Sequence, residues 1–137
     1  YKILKLKSFK IGCVRLLDDS VDKQIWNKLE KWLSQNTKEF NNLKIIGMGG
    51  NINKIFKISG TKYSKPLTKK TFKKTLKEIE EMSLLDRLTI LKLNPDRADV
   101  IVPAGKIYYF ILKTLKAKEI YVPKIGLADG MVGQIIN

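Results

Sequence analysis

The residues best suited to chemistry in this sequence are Gly47, Gly49, Gly50 and Asn51, from the run Gly47-Met48-Gly49-Gly50-Asn51, together with Arg97. Glycines that follow a strand let the backbone approach a ligand, and the helix that comes next aims free N–H groups outward, so such a loop can hold phosphate. The run also reads as a tight strand-to-helix turn in which Asn51 caps the helix, because short glycine motifs often occur without a ligand. It is not a Walker motif, since the Lys-Ser/Thr ending is missing.

Arg97 lies in Asn94-Pro95-Asp96-Arg97-Ala98-Asp99, which carries the signals of a helix start. In a first helical turn the dipole disfavours a cation unless an anion is shared there, and that points to anion binding. The competing reading pairs Arg97 with Asp96, Asp99 or a glutamate from another segment. Arg15 and Arg87 read as surface or interdomain ion pairs, and Trp26 and Trp32 as helix core rather than a base-stacking platform. The chain contains no histidine, which excludes a His base, a Ser-His pair and a Cys/His zinc site.

The elements that must position these groups follow from periodicity. Ile3, Leu4, Leu6 and Phe9, then Ile11 to Val14, predict two strands. Ser20 as N-cap, with Val21, Ile25, Leu29, Trp32 and Leu33 at helical spacing, predicts a helix over residues 21–34. Residues 43–46 read as a short strand, the glycine run as a loop and residues 52–58 as a helix, with residues 60–70 a polar, basic loop. Thr68 is placed to cap a helix bearing Phe72, Leu76, Ile79 and Met82, and Ser83 a short one through Leu88. A helix from Asn94 to about Lys116 should kink or break near Val102, because Pro103 removes an interior hydrogen bond. Residues 119–123 predict a strand and residues 126–136 a turn into a last helix. This alternation predicts a single α/β domain over residues 1–137, with a mixed sheet flanked by helices.

Composition narrows the partners. No apolar run approaches the ~20 residues that span a bilayer, and the lone Cys13 cannot form an intramolecular disulfide, so the cytoplasm is the expected compartment. The formal charge of +14 attracts phosphate-rich partners. Only Arg15, Arg87 and Arg97 carry the fork suited to bidentate recognition; the other basic residues are lysines, which equally describe a solvated surface.

The segments at residues 8–16, Gly47 to Gly50, Asn94 to Gly105 and Gly126-Leu127-Ala128-Asp129-Gly130 resemble, in order and spacing, the second half of the Ppx/GppA phosphatases. That family hydrolyses inorganic polyphosphate or the 5′-phosphate of guanosine pentaphosphate. The resemblance implies a partial ribonuclease H-like fold of the actin, sugar kinase and heat-shock ATPase superfamily. It implies that Gly47, Gly49, Gly50 and Asn51 line the phosphate or nucleotide cleft and that Arg97 faces bound phosphate, with Gly12 and Arg15 in a structural turn. The chain departs from the family pattern at Asn51, where threonine or serine is usual, and at Ala128-Asp129, where Arg-Glu is usual.

By the same resemblance, the motif Asp-Ile-Gly-Gly-Gly-Ser-Thr-Glu and the general-base glutamate belong to segments preceding Tyr1. The expected role is therefore one wall of the cleft in a phosphoanhydride hydrolase, inactive by itself. Mg²⁺ is the expected cofactor of the parent enzyme, and an N-terminal domain of the same parent, and a homodimer, its expected partners. Two other readings stand beside it. One is a basic module for nucleic acid or another polyanion, without catalysis. The other is a kinase-like ATPase of the same superfamily.

Overall fold

The computed structural model describes residues 2–18 and 21–123. Six helices and three short strands alternate along them: α1 (Cys13–Leu17), α2 (Lys23–Thr37), β1 (Ile45–Ile46), α3 (Gly50–Ile58), β2 (Leu67–Thr68), α4 (Lys69–Glu81), α5 (Leu84–Thr89), α6 (Pro95–Thr114) and β3 (Glu119–Tyr121). The expected mixed sheet flanked by helices is present. β3 lies in the middle, with β1 parallel to it through the pairs Ile45/Ile120 and Ile46/Tyr121. β2 runs antiparallel on the other side through Leu67/Ile120 and Thr68/Glu119. Parallel neighbours need a long crossover, and the segment between β1 and β3 holds four of the helices.

α6 is the axis of the packing, because it contacts all five of the other helices. It is apolar on more than one side, as a central helix must be, with Ala98, Ile101, Val102, Ala104, Gly105 and Leu112 buried. Small residues set the spacing. A Cβ on Gly105 would lie 3.2 Å from Ile55 Cδ1 and crowd Leu76, so the glycine lets α3 and α4 approach closely. Ile52, Ile55, Phe72, Ile79, Ile101 and Ile120 fill the core at 0% exposure, each contributing about 1.5–3 kcal/mol relative to leaving it in water.

Local signals explain most element boundaries. Asp22 accepts from the Gln24 N–H at 2.9 Å, Thr68 from Thr71 N–H at 3.2 Å and Ser83 from Asp86 N–H at 3.1 Å, satisfying donors that the first turns of α2, α4 and α5 leave open. Pro95 opens α6, where its missing N–H costs nothing.

Several expectations change. The two strands predicted before residue 15 are absent: residues 2–9 carry no regular element, and Cys13 to Leu17 form α1. Alternating residues satisfy only half of what a strand needs; without a neighbouring strand the ladder does not form, and Ile3, Leu4 and Leu6 are exposed. The basic loop at residues 60–70 ends in β2, whose Leu67 is fully buried. α6 runs unbroken through Pro103. The carbonyl deprived of its partner belongs to Asp99, an exposed residue that water can serve. The expected cap Ser20 and the helix over residues 126–136 lie outside the described residues; α2 is capped by Asp22.

Among the described residues Arg87 does not form the expected ion pair. Its guanidinium donates to the carbonyls of Ile79 (3.0 Å), Glu80 (3.2 Å) and Ala98 (3.1 Å), tying the end of α4 and the start of α6 to α5. A lysine has the charge but not the fork. Arg87→Lys should lower the unfolding free energy by about 1–3 kcal/mol, seen as a lower denaturant midpoint at unchanged slope. An unchanged midpoint would make these bonds incidental.

Candidate functional site

The glycine run divides into residues with different duties. Gly47 continues the sheet, its N–H donating to Tyr121 O at 2.8 Å. Its missing side chain is a packing requirement, since a Cβ would stand 2.8 Å from Ile120 Cδ1 and 3.1 Å from Ile52 Cγ1. Met48 O accepts from the Tyr108 hydroxyl at 2.7 Å, which fastens the loop to α6. Burial above all holds the Tyr108 phenol above its ordinary pKa. It therefore keeps the proton that this bond requires.

Gly49 is the N-cap of α3 at φ +117°, ψ 164°, a conformation in which glycine is essentially required. Nothing lies within 4 Å of the place a Cβ would occupy, so the demand is on the backbone and not on space. With no cap side chain, the first N–H groups of α3 have no partner from that residue. Asn51 does not cap the helix; its Nδ2 lies 3.7 Å from Cys13 Sγ and joins α3 to α1.

Gly50 and Arg97 are brought together. The guanidinium of Arg97, from the first turn of α6, lies on the bare face of Gly50, so that a Cβ there would be 2.9 Å from Cζ and 3.1 Å from Nη1. Among the described residues Arg97 has no carboxylate partner, which removes the ion-pair alternative within them. Both residues line a cleft of about 620 Å³ with Asn53, Lys54, Lys57, Thr61 and Tyr63. Among the described residues no acidic one lines it. Asn53 Oδ1 is buried there without a hydrogen-bond partner among the described residues. Gly47, Gly49 and Asn51 are not lining residues; they shape the loop that presents Gly50.

Asn53, Lys54 and Lys57 were not among the expected site residues, although a signal for them exists. Positions 50, 53, 54 and 57 fall on one helical face, opposite the buried Ile52, Ile55 and Phe56. Among the described residues no group of His, Cys, Asp or Glu is suited to a metal ion, and the cleft wall is cationic. A divalent cation does not fit this wall.

The two glycines should respond differently to substitution. Gly49→Ala should cost about 1–3 kcal/mol through its backbone angle alone, a fall of several degrees in Tm. Gly50→Ala should displace Arg97 and weaken phosphate binding while Tm changes little. Equal melting losses in both variants, with binding intact, would reduce the loop to a tight turn.

Comparison with known proteins identifies the family. The family model of the Ppx/GppA phosphatase family matches residues 1–137. The fold matches a crystal structure of the Aquifex aeolicus Ppx/GppA phosphatase with a TM-score of 0.76 at 24% identity, covering 96% of this chain and 49% of that one. It matches an exopolyphosphatase from Cytophaga hutchinsonii with a TM-score of 0.77 at 19% identity, covering 98% of this chain and 50% of that one. The chain thus spans about half the length of these structures. No curated protein matches it. With the family model extending over the whole sequence and the same small mixed sheet and helices in the solved structures, the chain belongs to the Ppx/GppA phosphatase family.

Proposed function

We propose that this chain supplies the charge-stabilising wall of the cleft in a phosphoanhydride hydrolase acting on inorganic polyphosphate or guanosine pentaphosphate. The observation that carries the reading is the Arg97 guanidinium laid over Gly50, with no carboxylate partner among the described residues, at the opening turn of α3. A phosphate seated there meets a planar fork of donors, the free N–H groups of the helix start and the ammonium groups of Lys54 and Lys57.

Cleavage of a phosphoanhydride spreads charge over the phosphoryl oxygens, and fixed cations aimed at that charge stabilise it without reorganising. The same step needs a water whose proton is taken by a base. Among the described residues no carboxylate or histidine lines the cleft, so on this reading the base comes from outside them. Among the described residues this wall offers no carboxylate to hold Mg²⁺.

Two outcomes follow. The isolated 137-residue chain should release no phosphate from polyphosphate above a heat-treated control; release would show that the base is present after all. In the full-length protein, Arg97→Ala should weaken phosphate binding by about ten-fold or more, as loss of a charge-assisted contact costs about 1.5–3 kcal/mol. Unchanged KM and kcat would return Arg97 to a structural role. Tighter binding of single-stranded nucleic acid than of polyphosphate would favour the polyanion-binding reading, for which the net charge of +14 is the motive.

A further inference from the structure

α2 is apolar on two faces. On one, Leu29 and Leu33 are buried and Trp26 packs edge-on against Phe110 of α6, with ring centroids 4.7 Å apart. On another, Ile25, Lys28, Trp32 and Gln35 recur at intervals of three and four. Trp32 is only half-buried there, and its ring meets that of Phe9 edge to face, with centroids 5.9 Å apart and an interplanar angle of 72°.

This ring pair lies in a groove of about 390 Å³. Half-buried Phe9, Ile25 and Trp32 supply its apolar lining, and Ser8 and Gln35 are its uncharged polar side chains. Lys28 and Lys31 reach it from α2, Lys7 and Lys10 from the segment before α1, and all four lysines are exposed. Among the described residues no carboxylate lines the groove, and it shares no lining residue with the cleft at Arg97. From Ile25 to Gln35 the α2 side is about 15 Å long, enough for a few residues of extended chain. Ile3, Leu4 and Leu6, just before Lys7, are exposed as well, and apolar surface rimmed by polar residues marks interaction sites.

The two kinds of lining restrict the occupant. A bare phosphate chain would use the ammonium groups and leave the apolar lining in water. Bases of a single strand need ring faces to stack on, whereas here one ring is spent on the edge of the other. The groove also has no arginine, whose fork reads phosphates and base edges. A second copy carries the same charge of +14 and is repelled. Carboxylates, by contrast, pair with lysine ammonium groups without a fixed fork, and an aromatic or leucine side chain between them leaves water against Phe9, Ile25 and Trp32.

We infer that this groove is a docking site for an acidic segment of a partner protein. An apolar anchor of that segment rests on Phe9, Ile25 and Trp32, and its carboxylates meet Lys7, Lys10, Lys28 and Lys31. The net charge of the chain steers such a partner in, and the lysines of the groove fix where it settles.

The test is titration of the full-length protein, at fixed ionic strength, with a synthetic peptide in which one phenylalanine and one leucine are flanked by glutamates. Alanine at both apolar positions of the peptide should weaken binding about ten-fold or more. Lys28→Gln/Lys31→Gln should weaken the original peptide about three- to ten-fold and leave the affinity for tripolyphosphate unchanged. Lys73→Gln/Lys77→Gln, on exposed positions of α4 that do not line the groove, removes the same charge and should change nothing.

Absence of peptide binding would mean that the rest of the full-length chain covers the groove, and would overturn the inference. Equal affinity for the alanine peptide, or an equal loss in the α4 variant, would do the same by reducing the effect to net charge. So would an unchanged affinity in the Lys28/Lys31 variant. Tighter binding of oligodeoxythymidine than of the peptide, lost in that variant, would make the groove a nucleic-acid site instead. None of these results touches the cleft at Arg97, since the two share no lining residue.

Discussion

The packing of every other helix against α6 is the constraint on which this structure depends. A helix of 20 residues with buried Ala98, Ala104 and Gly105 offers a surface low enough for α3 and α4 to lie close, and Leu76 and Ile55 occupy the space a larger residue would take. The same helix carries Arg97 near its start and Tyr108 about three turns further on, so core packing and site geometry are properties of one rigid rod. Tyr108 grips the glycine loop at Met48 while Arg97 lies on Gly50, which fixes the loop to α6 at two points.

This arrangement gathers cations that would repel one another if nothing were shared between them. Arg97, Lys54 and Lys57 line one cleft in a chain that already carries +14. Self-repulsion of this kind costs stability and is offset when an anion binds. Arg87 stands in contrast. Its donors are consumed by the carbonyls of Ile79, Glu80 and Ala98, and it serves the fold. Two arginines ten positions apart therefore divide into a fastener and a guanidinium lying at a cleft, and what separates them is whether backbone acceptors lie within reach.

Helices and caps were legible because their signals are local. Thr68, Ser83 and Pro95 stand where capping chemistry requires, and the apolar stripes of α2 and α4 face the core as their spacing says. The face of Gly50, Asn53, Lys54 and Lys57 was legible in principle by the same periodicity. β2 was not, since two residues between a proline and a helix carry no alternation to read, and their pairing with β3 joins segments about fifty positions apart. The predicted strands before residue 15 failed for the opposite reason, a local pattern with no partner strand.

By itself the sequence determined the α/β alternation, the glycine loop after a strand, a helix start at Asn94 and the family resemblance, because each of these is written in residues close together along the chain. Only the tertiary structure decided that Gly47 is a packing residue, Gly49 a backbone residue and Gly50 the one on which Arg97 rests. These three look alike in sequence. They differ in what stands opposite the missing Cβ, respectively Ile120 and Ile52, open space, and a guanidinium from a helix more than forty residues away. Which neighbour meets a glycine is a property of how helices cross, and no local pattern encodes it.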